Sequence, residues 1–268
     1  NNGILKVALA PSTPFACTPD YLDWLKQVAE DYGGMQIYIH VSETKWEVEQ
    51  SLAECNKTPL AYLDSLGFLS RPICAVHCVH LTEDEIELAK RKEVTVIYNP
   101  KSNAKLGSGI APIVTYLKKG IPVVLATDGA ASNDLLDMFE EMRFGAMLQK
   151  AAYEDPTVIT GPEMFKMATE AGAKMLGIEA GTLEEGKLAD LVILNPRLAH
   201  IQPLHDIIQS LVYCGKASDV ETVIIDGRVI LENQKFCTVD EEKILQRAIE
   251  LGTEKYREAR GNAMAADF

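Results

Sequence analysis

Histidine is scarce in this 268-residue chain, which holds only His40, His77, His80, His200 and His205. Basic clusters are missing too. Lys and Arg number 26 against 39 Asp and Glu, and the net charge of −13 argues against nucleic acid or an anionic membrane as the main partner. No apolar run reaches the roughly 18 residues that span a bilayer, and the first residues hold no charged segment leading into an apolar core of the secretory kind. A cytoplasmic protein is the resulting expectation. Cys17, Cys55, Cys74, Cys78, Cys214 and Cys237 never fall into C-x-x-C pairs, so a structural zinc site of that type is excluded and reduced, mostly buried thiols are expected.

What is present is a chain with 47% apolar residues, enough for a full core in one large domain or one domain with an appendage. Strand-length apolar runs alternate with amphipathic helical stretches, the pattern of parallel strands joined by crossover helices. The expected strands are Ile4–Ala10, Met35–His40, Ile73–His77, Val94–Tyr98 and Pro122–Thr127. Helix starts are signalled by Thr18 before Pro19, and by the capping boxes of Thr82 with Glu85 and Thr160 with Glu163, the last opening a helix that Gly177 can end. Beyond Gly177 the texture turns to short strands around glycine-centred turns, with a hairpin at Asp226-Gly227, and then to a charged helix from Asp240 to Arg260. Two regions are therefore expected, 1–178 and 179–268.

Three ligand-type side chains close apolar runs: His40 ends MQIYIH, His77 ends PICAVH and Asp128 ends IPVVLATD. In barrels of alternating strands and helices, side chains from distant positions converge at such strand ends. Glu43 follows His40 by three residues and can carry protons near a metal-held imidazole. His80 falls in the loop after His77 and reads as a structural residue. A carboxylate at the end of a buried strand, as Asp128 is, must be paired, hydrogen-bonded or metal-bound. Between these lies YNPKSNAKLGSGIAPI, a polar, glycine-containing loop in which Asn103 and Lys105 are candidates to line a pocket.

The segments HVSET, VHCVH, NPKSNAKLGSGIAP, TDGAASND with FEEMRFGAMLQKA, and GTLEEGKLADLVIL together resemble the amidohydrolase superfamily, in its branch of methylthioadenosine/S-adenosylhomocysteine deaminases and atrazine chlorohydrolases. The resemblance covers nearly the whole chain. It implies an α/β (β/α)8 TIM-type barrel with a small β-sandwich and one divalent metal, zinc or iron. It also implies His40 and Asp128 as metal ligands, His77 at the substrate and the attacked centre, and Glu43 handling protons at a ring nitrogen. Asp128, His77 and Glu43 are then the catalytic set, and Glu43, His77, Ser12 and Asn103 the substrate-binding set. The reaction implied is hydrolytic deamination of an aminated purine nucleoside or similar N-heterocycle by hydroxide generated on the metal. The same machinery can expel chloride from a triazine or pyrimidine. A homo-oligomer is expected, because enzymes of this branch are often dimers or larger.

Three departures from the family pattern stand out. Ser12 in APSTPF and Tyr98 in IYNP occupy positions where the purine-nucleoside deaminases carry histidine, and a serine cannot be the same acid or cationic donor. The larger departure is the absence of any His-x-His, which in the family closes the first barrel strand with two more metal ligands. The expected strands thus correspond to barrel strands four to eight, and the chain reads as a portion of a longer enzyme or, alternatively, as a complementing half-barrel subunit. Two protein ligands hold a catalytic zinc poorly, since three are usual. The isolated 268-residue polypeptide is therefore expected to release no ammonia from a panel of aminopurines and aminotriazines; full activity of this chain alone would contradict that reading.

Overall fold

A computed structural model describes residues 5–266, and side chains through residue 259. Four strands, β1 (Tyr38–Val41), β2 (Cys74–His77), β3 (Thr95–Tyr98) and β4 (Val123–Leu125), form a parallel sheet in sequence order. Helices separate successive strands, as parallel pairing requires. The expected strand Ile4–Ala10 is reduced among the described residues to one bridge between Leu9 and Ile37, and Ile4 lies outside them. That segment nevertheless runs beside β1: Tyr38 N–H donates to the Leu9 carbonyl at 2.8 Å and His40 N–H to the Ser12 carbonyl at 3.0 Å.

The core lies between this sheet and its helices, with Ile37, Ile39, Val41, Ala75 and Val96 fully buried. Tyr98 points into the same core, where its hydroxyl accepts a 3.1 Å bond from the Gln149 side chain. Both capping boxes form, with the Thr82 and Thr160 hydroxyls accepting from the Glu85 and Glu163 N–H groups. The helix opened by Thr160 does not run through to Gly177. It stops at Thr169, whose φ of −127° and ψ of −87° are not helical, and a second helix, Glu170–Leu176, continues to the left-handed Gly177. The stretch after Tyr98, expected as a loop, begins instead with a short helix, Pro100–Lys105, because Pro100 supplies a fixed φ at the first helical position.

Leu188–Asn195 and the residues from Ser218 onward form a second compact unit. It contains one antiparallel sheet in the order β5 (Leu191–Leu194), β6 (Val220–Ile225), β7 (Arg228–Glu232) and β8 (Lys235–Phe236). Asp226 and Gly227, at φ 51° and 72°, make the tight turn between β6 and β7. The helix Glu241–Ala266 follows. No helix among the described residues is long and apolar enough to cross a membrane.

The helix Met138–Tyr153 packs against Tyr98 through Gly145. A Cβ built there would stand 2.9 Å from the Met164 methyl, 3.1 Å from the Tyr98 ring and 3.2 Å from Pro100. Gly145→Val is expected to cost about 1–3 kcal/mol through overpacking, read as a lower urea midpoint; an unchanged midpoint would show that this packing gives way easily.

Candidate metal centre

The site forms where β1 to β4 end. Register pairs Val41 with His77 and His40 with Val76. Side chains alternate faces along a strand, so a regular extension of β2 would send His77 to the helix-covered face with Val41, away from His40. It does not do so, because the His77 backbone sits at φ +72°. That left-handed conformation is uncommon for a residue with a Cβ, and it re-aims the imidazole. His77 Nε2 comes to 3.1 Å from His40 Nδ1 and 3.6 Å from the Glu43 carboxylate. Ser42, Cys78 and Asp128 also have positive φ, so the unusual backbone clusters at these strand ends.

His77 is buried, and its Nδ1 lies 2.8 Å from Asn103 Oδ1. A carbonyl oxygen only accepts, so Nδ1 carries the proton and Nε2 presents its lone pair toward His40 and Glu43. Burial pushes the His77 pKa down, helped by His40 and opposed by Glu43, Asn103 and Asp128. The ring is therefore neutral at neutral pH, the state that binds a cation.

Asp128 sits in a nest of donors. Ser102 Oγ donates to Oδ2 at 2.5 Å, Ser132 Oγ to Oδ2 at 2.9 Å, and the Gly129 N–H to Oδ1 at 2.7 Å. Partial burial alone would raise its pKa, but these three bonds and His77 outweigh that effect and hold the carboxyl below its usual range. Asp128 stays ionised.

Glu43 is gripped through backbone and side chain. Its N–H and that of Ser42 both donate to the Glu47 carboxylate, at 2.7 and 2.9 Å, and its Oε1 accepts from Ser108 Oγ at 2.9 Å. One ligand atom from each of His40, Glu43 and His77 can be chosen so that all lie within 4.8 Å of one another. Imidazole nitrogen and carboxylate oxygen suit a divalent cation of zinc's type, so the donors fit the implied metal. Asp128, read from the sequence as a ligand beside His40, is not in this group of three, although its charge bears on His77.

The other sequence candidates differ in their relation to this point. Ser12 is exposed, with its carbonyl bonded to the His40 N–H. Asn103 is buried, with Oδ1 taken by His77 and Nδ2 lacking a partner. Lys105 reaches outward to the Asp134 carboxylate at 2.7 Å. Tyr98 is buried, with its hydroxyl accepting from Gln149. Ser102 and Ser108 were not singled out by sequence reasoning. The signal available for Ser108 was its place between Gly107 and Gly109, both at positive φ.

Residues 1–230 match the amidohydrolase family. A 5-methylthioadenosine/S-adenosylhomocysteine deaminase from Caldanaerobacter subterraneus is 46% identical over 244 residues, which cover 90% of this chain and 56% of that protein. Among solved structures, an adenosine deaminase from Xanthomonas campestris with bound zinc superposes with a TM-score of 0.90 at 33% identity, over 94% of this chain and 58% of the other. The atrazine chlorohydrolase of Arthrobacter aurescens, complexed with zinc, gives 0.87 at 27% identity over 93% and 55%. The chain thus spans just over half the length of the proteins it matches. On the breadth of the family match and this identity, the chain belongs to the amidohydrolase family.

Proposed function

We propose that these strand ends belong to a hydrolytic deaminase acting on an aminated purine nucleoside or a similar N-heterocycle. The observation that carries the reading is the convergence of His40, Glu43 and His77 on one point, beside an ionised Asp128. The 46% identical deaminase and the zinc-containing structural neighbours support it. In this reading residues 1–178 supply strands four to eight of a (β/α)8 barrel, and 179–268 its closing segment, part of a β-sandwich and a terminal helix. The protein works as a homo-oligomer on a small heterocyclic substrate.

His40 and Asp128 hold one divalent cation, zinc by the nature of the donors, with His77 and Glu43 alongside. When bound, such a cation lowers the pKa of a coordinated water toward neutrality. Asp128 accepts the attacking water's proton, a role that needs the ionised state its three hydrogen bonds maintain. Glu43 delivers a proton to the ring nitrogen next to the attacked carbon as the carbon–oxygen bond forms. Asp128 then passes the proton it took to the amino group, the carbon–nitrogen bond breaks and ammonia leaves, while the proton of the added hydroxyl returns to Glu43 as the carbonyl forms. The tautomer that Asn103 imposes makes His77 Nε2 an acceptor, so His77 orients the added hydroxyl by taking its hydrogen bond and does not act as a proton donor. Ser12, exposed beside His40, is the substrate contact on the outer side.

With the remaining barrel strands supplied, Glu43→Gln is expected to reduce kcat for ammonia release from an aminopurine nucleoside by about 10²–10⁴-fold with metal content unchanged; a kcat near wild type would remove Glu43 from proton transfer. His40→Ala is expected to abolish tight zinc binding by elemental analysis. Ser102→Ala, which frees one side of Asp128, is expected to weaken zinc affinity by about 10–100-fold in a chelator competition. Unchanged affinity in both variants would contradict the ligand assignment.

A further inference from the structure

We propose that Ser108, clamped by His80 and Gly109, is the positioning residue that sets the Glu43 carboxylate against His77. This inference rests on Glu43 being the proton carrier. Ser108 is nearly fully buried, and its hydroxyl donates to Glu43 Oε1 at 2.9 Å, across 65 residues of sequence. With Oε1 held there, Oε2 is the oxygen left facing His77 Nε2 at 3.6 Å. A glutamate has three rotatable side-chain bonds, and one fixed oxygen removes most of that freedom. Ser108 thereby selects which oxygen meets the reacting atoms.

Ser108 is itself held. His80 Nε2 lies 2.7 Å from the Ser108 carbonyl, which can only accept, so His80 donates. Gly109 follows at φ +123°, and a Cβ there would stand 3.0 Å from Val79 Cγ1 and 3.3 Å from His80 Cε1. The loop can lie this close to the end of β2 only with glycine at that position. Val79 and His80 in turn donate their N–H groups to the Ser42 carbonyl, at 3.1 and 3.0 Å. The backbone preceding Glu43 and the loop carrying Ser108 are thus fastened to the same two residues. A closed loop of contacts, Ser42 to Val79 and His80, to Ser108 and Gly109, to Glu43, gives His80 a function that its place in a turn does not suggest.

The test compares wild type, Ser108→Ala, Ser108→Thr and His80→Ala in the full-length enzyme, by steady-state ammonia release, metal content and crystal structure. Ser108→Ala is expected to lower kcat by about 10–100-fold, the loss typical of a displaced catalytic group, with KM within about threefold and metal retained. Ser108→Thr keeps the hydroxyl and is expected to restore most of kcat. His80→Ala is expected to show a smaller loss of the same kind. In the Ser108→Ala crystal the Glu43 carboxylate is expected to leave its wild-type position. Wild-type kcat in Ser108→Ala, a loss traced entirely to lost metal, or a Glu43 that stays in place without the hydroxyl would each overturn the proposal. Should wild type release no ammonia from any aminopurine nucleoside, the deaminase reading falls, while the Glu43 position in the two crystals still decides whether Ser108 positions it.

Discussion

The turn of the His77 backbone into the left-handed region is the constraint from which the site follows. Without it, strand alternation would bury the imidazole on the helix-covered face with Val41. The conformation costs on the order of 1–3 kcal/mol for a residue with a Cβ and persists only where its surroundings enforce it. The enforcement is visible: Asn103 Oδ1 accepts a hydrogen bond from Nδ1–H, the Cys78 N–H that follows bonds the Val41 carbonyl at 3.1 Å, and Tyr116 donates its hydroxyl to the Cys78 carbonyl at 2.5 Å. The parallel sheet supplies the platform, and the departure from it at His77 brings two imidazoles to one point.

Around that point the neighbours of His77 and Asp128 set their protonation states. His77 is held neutral by its burial, helped by the neighbouring His40. Asp128 is ionised because two hydroxyls and a backbone N–H are aimed at its oxygens. A buried neutral imidazole beside a hydrogen-bonded, ionised carboxylate gives one site two different environments near neutrality. The glycine-flanked loop around Ser108 adds orientation: it fixes one carboxylate oxygen and leaves the other for chemistry.

Local signals in the chain reported well, and long-range ones did not. The capping boxes at Thr82 and Thr160, the Asp226-Gly227 turn and the apolar runs of β1 to β4 each involve residues close in sequence, so their chemistry can be read there. His40, Glu43, His77 and Asp128 were visible because a ligand-type side chain closing or following an apolar run is conspicuous. The flip at His77 leaves no trace in residue type. The bonds from Ser102 to Asp128 and from Ser108 to Glu43 join residues 26 and 65 apart, through a side chain too common to attract notice. The burial of Tyr98 against Gln149 was likewise not legible, because it depends on a helix 51 residues away. The helix break at Thr169 was equally hidden, since threonine is tolerated on either side of it.

The central claim is that His40 anchors a divalent cation at the meeting point of β1 and β2. Anomalous diffraction at the zinc edge, on crystals of the zinc-loaded protein, tests it most directly. The account predicts a single peak about 2.0–2.2 Å from a His40 ring nitrogen, with Asp128 also bonded to it and Glu43 and His77 at its side. A peak placed elsewhere, or none near His40 at full zinc loading, would contradict it.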